Sequence, residues 1–240
     1  MALRHGRSGV FVAGVCVIGV VLSGCGKKGS TSQPPSSAAP SSTVTSPGDG
    51  KGGGSAPWPG LTSAAEARKQ LVALTEAKPR SMSGYSRAKF PHWAQQGGKC
   101  DTRETVLARD GKNVKKDDQC RAVSGTWHSL YDGKTATKAS EVDIDHIVPL
   151  ANAWRSGADQ WDNDRRKAFA NDLTHPQLLT VSAGSNRSKG DQSPDQWQPP
   201  DHAAWCVYGR AWISVKSTYK LTVTGEERGM LTKMLDTCSS

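Results

Sequence analysis

An α+β domain, with few short strands and several helices, is what the sequence predicts. Apolar residues recur at helical spacing in several separate stretches, while β-branched alternation is confined to two short runs. The repeated βα units of a Rossmann or TIM architecture are missing. No Walker loop occurs, and no G-x-G-x-x-G follows a strand pattern and opens a helix, which leaves nucleotide-cofactor chemistry without a signature.

The elements follow in chain order. Ser63-Ala64-Ala65-Glu66 has capping-box spacing, and Ala67, Leu71 and Leu74 continue it at helical intervals. Pro79 closes the segment, which predicts a helix over residues 64–77. Asp101 or Thr102 caps a short helix through Val106 and Leu107. Residues 121–127 and 142–148 read as strands, and residues 161–171 as a helix. Pro199-Pro200-Asp201 opens another helix, with Trp205, Tyr208, Trp212 and Val215 on one face. Thr224-Gly225-Glu226-Glu227 is a second capping box, followed by an apolar stripe of Met230, Leu231, Met234, Leu235 and Cys238. Such Met and Trp stripes belong to a core rather than a cofactor box.

The N-terminus reads as an export signal. Arg4 and Arg7 precede an apolar run over residues 10–22, too short to span a bilayer as a stable helix. Leu22-Ser23-Gly24-Cys25 then resembles the lipobox of bacterial lipoproteins, which implies a signal peptide over residues 1–24 and lipidation of Cys25. Residues 25–59 are rich in Gly, Ser, Thr and Pro and read as a flexible tether with a reach of roughly 30 Å. The folded unit is expected over residues 60–240, exported and either lipid-anchored on the outer face of the cell membrane or secreted.

Mean hydropathy is −0.56, and the chain lacks the repeated apolar runs of a multi-span membrane protein. Eight Trp and clear periodicity exclude full disorder. Of the formal +9, the cations Arg4, Arg7, Lys27, Lys28 and Lys51 and the anion Asp49 precede residue 60, so the folded unit keeps 26 basic and 21 acidic residues. A net +5 permits a polyanionic partner without demanding one. The folded unit holds Cys100, Cys120, Cys206 and Cys238, an even count that in an exported domain favours disulfides. Three pairings are open; proximity in sequence favours Cys100–Cys120 and Cys206–Cys238. The rival zinc site lacks any C-x2-C pair.

The chemistry concentrates in Glu141-Val142-Asp143-Ile144-Asp145-His146-Ile147-Val148-Pro149-Leu150. Val142 and Ile144 alternate into packing positions, and Asp143 and Asp145 share the opposite face of the strand. A carboxylate beside a histidine offers an oxygen ligand for a hard cation and a base. About forty residues later, Asn186-Arg187-Ser188-Lys189-Gly190-Asp191 supplies an amide oxygen, two cations and a glycine turn.

Together, Asp-x-Asp-His-Ile-Val-Pro and Asn-Arg-Ser-Lys-Gly-Asp closely resemble the HNH endonucleases. The best match is the branch related to the C-terminal nuclease domain of GmrSD-type restriction enzymes, with His146 to Pro149 as its H-x-x-P motif. Segments like Cys100-Asp101-Thr102-Arg103-Glu104-Thr105-Val106-Leu107 and Phe169-Ala170-Asn171-Asp172 extend the resemblance from about Tyr85 to the C-terminus. The resemblance implies a ββα-metal core, a short antiparallel hairpin plus helix, surrounded by further helices. It also implies a phosphodiester hydrolase with one divalent ion, Mg²⁺ or alternatively Mn²⁺. His146 is then the general base, and Asp145 and Asn186 are the metal ligands. Beside that resemblance, Arg187 with its fork and Lys189 as a point charge are placed to neutralise phosphate in the reaction, and Arg103 is a weaker candidate of the same kind. The middle residue that fixes the loop is expected near Gln177, whereas the nearest Asn is Asn171. DNA is the first expected substrate and RNA the second; no protein partner is expected. Rival readings are a non-catalytic nucleic-acid-binding lipoprotein and an envelope-binding module that uses its Trp residues on glycans.

Overall fold

The computed structural model describes residues 58–239. The expected signal, Cys25 and most of the tether lie outside the described residues. Trp58, assigned by composition to the tether, is buried in the main core, so the folded unit includes it.

Helix α1 (Ala64–Ala73) is capped by Ser63, whose hydroxyl accepts from the Glu66 amide. It ends four residues before the sequence-predicted limit. There the chain turns extended, with Ala77 donating to the Val223 carbonyl and Val223 to the Thr75 carbonyl. Strands β1 (Gln95–Gly97) and β2 (Cys100–Asp101) form a tight antiparallel pair. Asp101 caps α2 (Thr102–Asp110) by accepting from the Glu104 amide, as its sequence position suggested. Strands β3 (Lys112–Lys116), β4 (Ala122–His128) and β5 (Thr135–Ala136) make an antiparallel sheet with β3 at one edge.

Strand β6 (Val142–His146) is followed by α3 (Leu150–Arg155) and α4 (Asn163–Ala170). The chain then returns as β7 (Leu178–Ser182), antiparallel to β6. β6 is two residues shorter than predicted. Past His146 the Ile147 amide bonds the Gln177 carbonyl, and Pro149 opens α3. Asp162 caps α4 through the Arg165 amide, which sets its late start. Helix α5 (Ala183–Lys189) follows β7 without a loop, so the local topology is strand, strand, helix. A 3₁₀ turn capped by Asp201 leads into α6 (Trp205–Tyr219), and Thr224 caps α7 (Gly225–Asp236).

Two apolar clusters hold this α+β arrangement. The larger gathers side chains of α1, α3, α4, α6 and α7. The smaller packs Val106 and Leu107 of α2 and Trp127 of β4 against Val142, Ile144 and Leu178 of the β6–β7 pair. Period-two alternation therefore works as read: Val142 and Ile144 face this cluster, while Asp143 and Asp145 face α5. Five of the eight Trp residues are buried and Trp93, Trp161 and Trp205 are half-buried, so most of the Trp surface serves the core. Among the described residues no helix is long and apolar enough to cross a membrane.

Both preferred disulfides are present. Cys100–Cys120 ties the β1–β2 pair to the turn before β4, and Cys206–Cys238 ties α6 to the end of α7. Each removes freedom from the unfolded chain.

Candidate active site

The β6–β7 pair and α5 bring distant residues to one cavity of about 210 Å³. Asp145, His146, Asn186 and Arg187 all line it, together with Arg87 and Asp191. A larger cavity of about 480 Å³ lies elsewhere, lined by Asn152, Arg155, Asp195 and Glu227 among others, and contains no His, Cys or Lys. Size does not locate the chemistry here.

His146 sits at the last residue of β6, buried, with its ring 5.8 Å from that of Trp93. Its Nε2 lies 3.0 Å from the Ala170 carbonyl oxygen. A carbonyl only accepts, so Nε2 carries the proton and Nδ1 is the basic nitrogen. Nδ1 has no hydrogen-bond partner among the described residues. Burial pushes the imidazole down to about 3, opposed by the Ala170 bond and assisted by the charge of Arg87. The ring is therefore neutral across the physiological range.

Asp145 is buried. Its Oδ2 accepts from the Tyr131 hydroxyl at 2.5 Å, and Lys189 Nζ donates to Oδ1 at 2.9 Å and Oδ2 at 2.8 Å. Lys189 also donates to the His146 carbonyl at 2.9 Å and is fully buried. Burial pushes the Asp145 carboxyl up, and the Lys189 ammonium opposes this. The expected phosphate contact at Lys189 is thus corrected. Gly190 ends α5 just beyond it, and the helix directs Lys189 inward, where its acceptors are the Asp145 carboxylate and the His146 carbonyl of β6. Its ammonium neutralises Asp145 and braces the backbone of His146.

Asn186, on the half-exposed face of α5, donates from Nδ2 to Asp143 Oδ2 at 3.2 Å. That fixes the amide with Oδ1 turned away from Asp143 and free of partners among the described residues. Arg187 is well exposed, its Nε 3.6 Å from the same Asp143 oxygen. Asp143, which sequence reasoning left without a role, thus orients both neighbours. Asp132 does the same for the helix start: its Oδ2 accepts from Ser182 Oγ at 2.7 Å and Ser185 Oγ at 2.9 Å.

Arg103 does not reach the cavity. Its guanidinium donates to Glu104 Oε1 at 2.5 Å and to the Ala139 carbonyl at 3.2 Å, which makes it a brace for α2 rather than a phosphate contact. Of the two candidates for the middle position, Gln177 is the one that touches the loop after His146. Fully buried, it accepts from the Val148 amide at 3.1 Å and donates to the Val148 carbonyl at 2.9 Å, clamping the loop after His146. Asn171 instead ties Ala94, Pro91 and Thr102 together. Sequence reasoning missed Arg87. It sits on a 3₁₀ turn 59 positions before His146, and no local pattern marks it. It is exposed and has no acidic partner among the described residues.

For a divalent ion the candidate donors are Asn186 Oδ1 and Asp145 Oδ1, the latter already accepting from Lys189 Nζ at 2.9 Å. No group of three or more His, Cys, Asp or Glu converges among the described residues. Two hard oxygens with solvent completing the shell fit a hydrated Mg²⁺ or Mn²⁺ and not a thiolate-bound Zn²⁺.

Residues 101–234 match the family described as GmrSD restriction endonucleases, C-terminal domain. A protein of Arthroderma benhamiae, described as an uncharacterized secreted protein, is 54% identical over 180 residues, covering 75% of this chain and 88% of the relative. No solved structure matches. The matched segment spans α2 to α7, encloses the whole β6–β7–α5 unit and exceeds half of the chain; the protein belongs to the family of the GmrSD C-terminal domain.

Proposed function

We propose that the folded domain is a metal-dependent HNH endonuclease that hydrolyses phosphodiester bonds of nucleic acid, DNA first, outside the cytoplasm. The observation that carries this is the convergence of Asp145, His146, Asn186, Arg187 and Arg87 on one cavity. The β6–β7–α5 unit is then the ββα-metal core.

The chemistry follows from the residues. His146, held in one tautomer by Ala170, accepts a proton at Nδ1 from a water aligned on phosphorus. Lys189 holds the His146 carbonyl and Gln177 the backbone of Val148 two residues on, so the base does not swing. Arg187 and Arg87 neutralise the non-bridging oxygens, each with a fork that suits a phosphate. Asp145 and Asn186 would hold the Mg²⁺ or Mn²⁺, with Asp143 keeping the Asn186 oxygen pointed outward. Such an ion, when bound, supplies charge stabilisation at the phosphate and the leaving oxygen.

The oxidised cysteine pairs suit an exported protein. The description of the Arthroderma relative as secreted supports export, and lipidation at Cys25 remains part of the proposal. One observation favours the non-catalytic binder as second reading: Lys189 and Tyr131 already engage both Asp145 oxygens.

Supercoiled plasmid incubated with Mg²⁺ or Mn²⁺, with and without EDTA, separates the two. The nuclease reading expects nicking that EDTA abolishes and that His146→Ala slows by about 10²-fold or more. Binding without nicking under every ion, or full activity of that variant, overturns it.

A further inference from the structure

The positive surplus of this domain has an address. Residues 81–116 carry eight Lys or Arg and three acids, a net +5. That equals the surplus of residues 60–240, so the rest of the folded unit is neutral. Within the segment, the three acids are occupied. Asp101 caps α2, Glu104 takes Arg103, and Asp110 takes Arg109. Arg87, Lys99, Lys112, Lys115 and Lys116 are exposed with no acidic partner among the described residues.

Their placement relates to the cavity. Arg87 lines it, and Trp93 lies against the His146 ring, with its backbone in the left-handed region at φ 59°. Six residues on, Lys99 is no more than about 20 Å from Trp93 along an extended chain. Lys116 Nζ approaches Cys100 Sγ at 3.9 Å, and the Cys100–Cys120 bond fastens the β1–β2 pair to the β3–β4 pair. Lysines on an edge strand discourage pairing with another chain, which accounts for charge on β3. It does not account for Arg87 or Lys99, which lie on no such edge.

We infer that residues 81–116 form a phosphate-tracking ridge that carries the backbone of a polynucleotide away from the cavity. This rests on the nuclease reading and deepens it: Lys99 and the β3 lysines take phosphates beyond the one at the cavity. Contacts are to backbone charge, so binding is insensitive to sequence and steeply dependent on salt.

The test is fluorescence anisotropy of the full chain with a labelled 20-nucleotide DNA, single-stranded and duplex, from 50 to 300 mM NaCl, in EDTA. The variant K99S/K112S/K115S/K116S is compared with wild type after its melting temperature is checked. Each lost phosphate contact lowers the exponent of affinity against salt by roughly 0.7 on single strands and 0.9 on duplex, so the expected fall is about 3. An exponent unchanged within about 0.5, or a wild-type protein that binds no DNA while hydrolysing bis(p-nitrophenyl) phosphate, overturns the ridge and leaves the hydrolytic reading standing. Ridge-dependent binding by a wild type that cleaves nothing supports the ridge and removes the nuclease.

Discussion

Replacing Lys189 by Met tests whether that residue is the internal counter-ion of Asp145 or an ordinary surface charge. A surface lysine costs within about 0.5 kcal/mol when replaced. Lys189 is fully buried and makes three hydrogen bonds, two to the Asp145 carboxylate at 2.9 and 2.8 Å and one to the His146 carbonyl at 2.9 Å. Met is one atom shorter and unbranched, so little cavity forms. What remains is a buried carboxylate with Tyr131 as its main donor, and breaking such a pair from one side costs about 3–5 kcal/mol. At a urea slope of about 2 kcal/mol per molar this moves the midpoint down by about 2 M. The assay is urea unfolding followed by Trp fluorescence at pH 7 in EDTA. The double variant Lys189→Met/Asp145→Asn removes the stranded charge and should recover at least about 2 kcal/mol of the loss. A single-variant cost below about 1 kcal/mol, or no recovery in the double, refutes the counter-ion assignment.

Three further outcomes are expected. Gln177→Leu leaves the amide and carbonyl of Val148 unpaired inside the protein; it should lower stability by about 2–4 kcal/mol in the same urea assay and slow cleavage. Arg87→Ala should lower kcat/KM about tenfold or more with little change in melting temperature, whereas Arg103→Ala should lower the melting temperature and spare kcat/KM; the reverse pattern would exchange their roles. His146 is held near 3 in the folded protein against about 6.5 unfolded, so the unfolded state takes up the proton first. Its contribution is complete above pH 6.5 and is lost as pH falls toward 3, by about 1.4 kcal/mol per pH unit. Melting temperatures from pH 7.5 to 4 should therefore fall less steeply for His146→Gln than for wild type, and parallel curves would contradict the burial argument.

The parts of the fold that obey local rules were legible in the sequence. Ser63, Asp101 and Thr224 cap their helices through side-chain oxygens, and Asp143 and Asp145 share a face because strands repeat every two residues. Strand β7 was not legible. Leu178-Leu179-Thr180-Val181-Ser182 is buried on both faces, so it shows no alternation. Helix α5 was hidden for the opposite reason: Ala-Gly-Ser-Asn-Arg-Ser-Lys looks like a solvated turn, and its helical state depends on Asp132, fifty positions before Ser182. Lys189 was misplaced because its partner is 44 residues away. The Gln177 clamp and the cavity face of Arg87 likewise exist only after long-range contacts form. Asp145, His146 and Asn186 were recognisable from motif resemblance, not from periodicity.

The partners in the β6–β7 ladder are not neighbours in the chain: His146 pairs with Leu178 and Val142 with Ser182, across an insertion that contains two helices. Closing so long a loop costs roughly 2 kcal/mol more than a four-residue turn. High separation between partners also delays assembly relative to local structure. His146 arrives on one side of this gap and Asn186 on the other, so a chain in which β6 and β7 have not paired carries neither a complete cavity nor a braced imidazole. Under the proposed function, a chain that has not yet closed this loop is not a competent hydrolase.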